Sequence, residues 1–295
     1  MDAVEQYIKH IAFEKRYSDH TIREYKSDLK SFIEYIESYH TIQDPLAVSL
    51  KEIREWIFYL LEKNESIATI HRRLSALKSF YKYHLKCGNT SHNPAKNVIL
   101  PKKNTPLPSF LDEKQTQQLF ETQTIDWTNY KEVRDYMILA MFYMTGMRRA
   151  ELIGLKIDDI DWANQSIKVL GKRNKQRIIP IPSWFIKQLE QYKKIRCEIL
   201  KNENQHLFLT EKGKPLYPKL VYLIVRDYLT RITHQTRRSP HTMRHTFATQ
   251  MLNAGADLNT IKELLGHSSL AATQVYTHNN FEKLKKSYKQ AHPRG

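Results

Sequence analysis

Cysteine is nearly absent: the 295-residue chain holds only Cys87 and Cys197, far apart and with no CxxC or CxxH partner. That excludes a disulfide framework and a cysteine-based metal site, and both residues are expected to be plain packing residues. No stretch approaches about 18 uncharged apolar residues, and the N-terminal MDAVEQYIKHIAFEKR scatters acids and bases where a leader would carry a basic cap and an apolar block. A soluble, intracellular protein with no membrane partner is expected. Internal repeats and low-complexity tracts are also missing. The most informative absence is local. From Ser66 to Leu111 there is no carboxylate, yet Arg72, Arg73, Lys78, Lys82, Lys86, Lys96, Lys102 and Lys103 all fall there. Helical basic faces usually carry acids as i,i+4 partners, and here none is available. A local cationic surface is expected, with phosphate contacts from Arg72, Arg73, Lys78, Lys82, Lys102 and Lys103.

The whole chain is basic, with 47 Lys and Arg against 31 Asp and Glu, a net charge of +16. A pI near 9.6 points to a polyanionic partner. Residues 1–100 hold 15 of the bases and 13 of the acids, leaving 32 and 18 for residues 101–295, so the excess lies in the C-terminal two-thirds.

Length and a 41% apolar composition allow two cores. Ser18 precedes Ile22, Tyr25, Leu29, Phe32, Ile33 and Ile36 at helical spacing, and Ser49 with Glu52 forms a capping box before Ile53, Trp56, Ile57, Leu60 and Leu61. After Ser66, the residues Ile67, Ile70, Leu74, Leu77, Tyr81 and Leu85 make one stripe, with Lys78, Lys82 and Lys86 on another face. Pro94, Pro101, Pro106 and Pro108 break the periodicity, so residues 94–109 read as an extended basic linker between a domain at 1–93 and another at 110–295. Beyond it the pattern predicts helices from about Asp112, from about Glu132 to Met144 and around Glu151 to Leu155. SIKVL and RIIPI, joined by GKRNKQ, predict a β-hairpin with a basic turn that contains Lys172 and Arg173. Helices resume after Ser183. The fold class is mainly α with a small antiparallel sheet.

Chemistry concentrates in SPHTMRHTFATQML, where Pro240 opens a helix that sets His241 beside Arg244 and His245 on one face. A helix start with an arginine is a good anion site. His241 and His245 at i,i+4 suit a metal poorly, because a guanidinium stands where a zinc protease keeps its glutamate and no third ligand is obvious. LLGHSS and QVYTH add His267 and Tyr276, TGMRRAEL adds Arg148, and the hairpin turn adds Lys172. Each piece alone is weak. Together, two arginines, two histidines, a lysine and a tyrosine are what metal-free phosphodiester transesterification requires.

In fixed order, TGMRRAELIGL, VLGKRNKQRIIPI, SPHTMRHTFATQML and LLGHSSLAATQVYTH closely resemble the tyrosine recombinase (phage integrase-like) family, especially its short Xer-type members, over nearly the whole chain. The resemblance implies an N-terminal helical core-binding (SAM-like) domain and a C-terminal, mostly helical catalytic domain. It implies catalytic roles for Arg148, Lys172, His241, Arg244 and His267, with Tyr276 as nucleophile; Glu151 orients Arg148, and Arg149 and Ala150 carry no catalytic role. Arg173 is expected at the DNA. No cofactor is expected. The expected partners are duplex DNA with a specific core site and a homo- or heterotetramer with a related recombinase, coupled through a C-terminal tail at about 279–295. A cytoplasmic, nucleoid-associated protein acting in chromosome or plasmid dimer resolution is the leading expectation. A mobile-element integrase, a DNA invertase or a type IB topoisomerase would be its rivals.

Overall fold

The computed structural model describes residues 2–101, 109–121, 125–171, 175–201, 204–233, 235, 237–266 and 287–294. It divides into two compact units, Met1–Pro106 and Leu107–Gly295. Among the described residues no helix is long and apolar enough to cross a membrane.

The first unit is helical: α1 (Ala3–Lys9) running into a π turn (His10–Glu14), α2 (Asp19–His40), α3 (Leu50–Glu62) and α4 (Ile67–Lys86). Ser18 and Ser66 cap α2 and α4 through the N–H groups of Thr21 and Thr69, and the Ser49–Glu52 box opens α3. The stripes meet in a core built on Phe32, Ile36, Trp56, Leu77 and Phe80, all but inaccessible to solvent. Leu85, the last residue of the α4 stripe, is exposed instead.

Arg72 and Arg73 are not free cations. Arg72 Nη1 lies 2.7 Å from the buried Asp28 and 2.6 Å from Glu24, both on α2. Arg73 pairs with Glu65 at 2.5 Å and donates to Ser31 Oγ. The acids of Arg72 come from across the helix interface, where a scan of local spacing cannot find them, and that of Arg73 lies just ahead of the α4 cap, outside the acid-free stretch. Lys78 is half-buried and reaches the Val98 carbonyl at 3.4 Å, whereas Lys82 stays exposed. The first half of the expected linker is also part of this unit. Asn93 donates to the Lys78 carbonyl, Ala95 and Val98 are buried, and the Pro101 carbonyl meets His71 Nε2 at 3.0 Å. Lys102 and Lys103 lie outside the described residues. Both cysteines are exposed rather than packed.

The second unit is built around α6 (Tyr130–Thr145), which is buried on every side between α8 (Ser183–Leu200), α9 (Pro218–Ile232) and α10 (Pro240–Asn253). Asn129 caps it, which is why it starts two residues before the expected Glu132. The remaining helices are α5 (Glu113–Glu121), α7 (Arg149–Gly154) and α11 (Leu258–Leu265). The hairpin forms as β2 (Ser166–Leu170) against β3 (Gln176–Pro180), closed by Gly171 N–H donating to the Lys175 carbonyl at 2.7 Å. A two-residue strand, β1 (Ile160–Asp161), adds to β2; it is too short to leave a periodic signal.

The end of the chain returns to this core. Tyr288, Ala291 and His292 are buried, with Tyr288 Oη donating to the Met144 carbonyl at 2.7 Å and His292 Nε2 meeting the Tyr143 carbonyl at 3.2 Å. The side chains thereby cap the last carbonyls of α6, which have no partner within the helix. Residues 287–294, expected to dock on a neighbouring subunit, are seated on their own unit. An apolar face at i, i+3 and i+4 specifies a groove but not which copy supplies it.

Candidate active site

The chain leaves α6 through Gly146, which adopts the left-handed conformation (φ 58°) and turns towards α7. A Cβ here would lie 2.6 Å from Phe247 Cδ1 on α10 and 2.8 Å from Leu265 Cδ2 on α11. Glycine is required by both backbone and space. Gly146→Ala is therefore expected to lower stability by roughly 2 kcal/mol or more, from left-handed strain plus overpacking, measured as a shift in the denaturant midpoint. A variant as stable as the parent would show that the three helices do not meet so closely.

Arg148 follows as the N-cap of α7. Its backbone N–H donates to Glu151 Oε2 at 2.7 Å, its Nη1 to Glu151 Oε1 at 2.8 Å and its Nη2 to the Gly266 carbonyl at 3.2 Å. Arg244, on α10, is buried and donates from Nη1 to the Gly146 carbonyl and from Nη2 to the Leu265 carbonyl, both at 2.7 Å. The two guanidiniums thus meet adjacent carbonyls at the end of α11. A third arginine, Arg177 on β3, donates to both Glu151 oxygens, at 2.7 and 3.1 Å, and from Nε to the Leu264 carbonyl at 2.7 Å. Its only sequence signal is a cation at an inward position of RIIPI, opposite Val169 and two before the buried Ile179.

The electrostatics follow from this crowding. Burial alone would raise the Glu151 carboxyl, but the hydrogen bonds and charges of Arg177 and Arg148 outweigh it and hold the group below the usual range. Burial and the neighbouring Arg148 and Arg177 charges push Arg244 down to about 10, opposed by Glu151, so it stays charged at neutral pH. His241 stands in the first turn of α10, opened by Ser239 and Pro240. Desolvation, then the charges of His245, Arg244, Arg149 and Arg148, lower its pKa. A neutral imidazole beside an anion site can accept a proton. Among the described residues no group of three His, Cys, Asp or Glu side chains could hold a metal ion.

The structure therefore brings together Arg148, Arg244 and His241 and adds Glu151 and Arg177. Lys172, Arg173, His267 and Tyr276 lie outside the described residues; Gly171 and Gly266 directly precede Lys172 and His267 in the chain. In the second unit Arg148 and Arg177 share one buried carboxylate, with the buried Arg244 beside them, an arrangement suited to holding an anion. The phage integrase family model matches residues 109–283, and that of the phage integrase N-terminal SAM-like domain matches residues 4–88, so the chain belongs to the phage integrase family, the tyrosine recombinases. It is 37% identical to the tyrosine recombinase XerC of Staphylococcus saprophyticus, over 100% of this chain and 98% of that protein. To XerD of Staphylococcus haemolyticus it is 36% identical, over 99% and 98%. Solved structures share the fold. XerH site-specific recombinase bound to palindromic difH substrate superposes with a TM-score of 0.72 at 23% identity, covering 96% of this chain and 83% of that one. The Tn1549 transposon integrase with transposon right-end DNA superposes with a TM-score of 0.69 at 20% identity, covering 97% and 99%.

Proposed function

We propose that this recombinase cuts and rejoins duplex DNA at a specific core site through Tyr276, without metal or ATP. The observation that carries this reading is the convergence of Arg148 and Arg244 on the Leu265 and Gly266 carbonyls, immediately before His267. Tyr276 Oη attacks the scissile phosphorus, and the bond to the 5′-oxygen breaks. Negative charge then grows on the non-bridging oxygens. Two fixed guanidiniums, each with further N–H donors, neutralise it where a magnesium ion otherwise could. His241 takes the tyrosine proton, Lys172 protonates the departing 5′-oxygen and His267 donates to a phosphate oxygen. The 3′-phosphotyrosine conserves the bond energy, so a partner strand's 5′-hydroxyl reseals the DNA.

Phosphate contacts outside the site fall to Lys82 and, in the segments beyond the described residues, to Lys102, Lys103 and Arg173. Arg72, Arg73 and Lys78 contribute by sharing their present partners. Four protomers around two duplexes, a Holliday-junction intermediate and action on the nucleoid in the cytoplasm complete the reading, with chromosome or plasmid dimer resolution as the role.

The test is to recover DNA covalently attached to the wild-type protein under denaturing conditions and map its ends. Adducts at one chromosomal or plasmid locus are expected, formed equally in EDTA. Ends at element termini or at inverted repeats would reassign the role to integration or inversion. Scattered ends would favour a topoisomerase, and loss of adduct in EDTA would end the metal-free scheme.

A further inference from the structure

Arg177 has no place in the chemistry just described, yet it is buried at the centre of the site. Three elements that are distant in sequence meet on its guanidinium. It holds both oxygens of Glu151, the carboxylate that also holds Arg148, and through Nε it holds the Leu264 carbonyl on α11. Its side chain packs against the backbone at two glycines. A Cβ on Gly266 would lie 3.2 Å from Nη1, and one on Gly171 would lie 3.8 Å from the same atom and 3.7 Å from Glu151 Oε1. Gly171 directly precedes Lys172 in the chain, and Gly266 directly precedes His267.

Burying this charge is costly unless every donor direction is used. A lysine could neutralise Glu151 but could not at once bridge both carboxylate oxygens and a carbonyl on another helix. An arginine is needed only if the spacing between those groups matters. Arg177 also belongs to β3, the strand that leaves the hairpin turn, and β3 is paired rung by rung with β2, which enters it. Fixing Arg177 on Glu151 therefore fixes both ends of the turn against the element that carries Arg148.

From this juxtaposition we infer that Arg177 is a positioning residue that anchors the base of the Lys172 turn to the arginine pair, and so sets the delivery of the proton to the leaving 5′-oxygen. The inference rests on the proposed roles of Tyr276 and Lys172. It goes beyond them by making leaving-group protonation depend on a buried residue that acts through Lys172.

The experiment compares two nicked duplexes carrying the locus recovered by covalent trapping, one with the ordinary bridging 5′-oxygen and one with a bridging 5′-sulfur. A thiolate leaves without being protonated, so a defect in proton delivery disappears on the sulfur substrate. Arg177→Lys is expected to form adduct about 100-fold more slowly than wild type on the oxygen substrate, and within a few-fold of wild type on the sulfur one, by the usual size of a general-acid contribution. Binding to the duplex should be unchanged. Equal slowing on both substrates would overturn the inference and reduce Arg177 to a support for Arg148 or for the fold. So would wild-type rates on both. If Arg177→Lys does not fold, the pair Glu151→Gln/Arg177→Gln, measured against Glu151→Gln alone, removes the buried charges together and is held to the same sulfur-dependent recovery. Failure of the wild-type protein to form any adduct would instead overturn the parent reading.

Discussion

Tyr276→Phe is expected to bind the recombination site as the wild type does and to form no covalent adduct, whereas Arg148→Ala and Arg244→Ala are expected to form it at about 10²- to 10³-fold lower rates. The tyrosine variant loses the oxygen proposed to become bonded to phosphorus. Each arginine variant loses one fixed donor aimed at developing charge, a loss of about 3 to 4 kcal/mol in comparable oxyanion sites. The two arginines are separated by what else they hold. Arg244→Ala strips partners from the Gly146 and Leu265 carbonyls deep in the unit, and each orphaned buried group costs about 1–3 kcal/mol. Arg148→Ala leaves Glu151 still paired with Arg177, so the buried carboxylate keeps its counter-ion. A clear fall in melting temperature is expected for Arg244→Ala and little for Arg148→Ala, with both nearly inactive in single-turnover adduct formation. Adduct from Tyr276→Phe would remove that residue as nucleophile. Equal stability of the two alanine variants would sink the assignment of Arg244 as a structural tie.

Acidification from pH 7 to pH 4.5 is expected to release the end of the tail. His292 Nδ1 accepts the Arg294 N–H at 3.1 Å, which leaves Nε2 to donate to the Tyr143 carbonyl, so the seated ring is neutral and has no room for a second proton. Burial, assisted by the Arg294 charge and opposed by the Tyr143 bond, pushes its pKa down to about 4. A detached tail regains an ordinary histidine near 6.5. Above that value neither state is charged and seating is at full strength. Below it the detached state takes up the proton first, and seating weakens by about 1.4 kcal/mol per pH unit, or roughly 3 kcal/mol in total before the seated ring itself titrates. Trp184 reports this locally, because its Nε1 donates to the Arg294 carbonyl. Its fluorescence should change on acidification in the wild type and not in His292→Gln. Global unfolding would blur the result. Asp28 in the other unit is pushed up to about 6 by burial against the pull of Arg72 and Arg73, and contributes with the opposite sign, since there the folded state binds the proton first. A Trp184 signal that is flat between pH 7 and 4.5 would contradict the seating of His292.

What could be read in the sequence was what is local. Ser18, Ser49 and Ser66 each announce a helix by a hydrogen bond spanning two or three residues, and SIKVL with RIIPI announces a hairpin by alternation. The same holds for Glu151, which binds Arg148 one turn away. What escaped was every partner supplied from elsewhere. Asp28 neutralises Arg72 from 44 positions away, Ala95 and Val98 fold a proline-rich segment back onto the first core, and Tyr288 answers Met144 across 144 positions. Arg177 was hidden for a related reason. Its position on the strand reads as apolar, and only the arrival of Glu151 and α11 shows why a cation occupies it.

The end of α11 carries a consequence for how the site comes apart. Eight residues make a helix with little intrinsic stability in water, and this one ends at Gly266 with the carbonyls of Leu264, Leu265 and Gly266 taken by Arg177, Arg244 and Arg148 in turn. Loosening α11 removes a partner from all three guanidiniums in one event, and dislodging the arginines uncaps the helix. Helix and arginines therefore form a single cooperative opening unit, in the sense defined by native-state amide exchange. The fraction of molecules with an intact site is then set by the opening free energy of a helix barely two turns long, and a substitution that weakens α11 alone disarms the protein well before the rest of the unit melts.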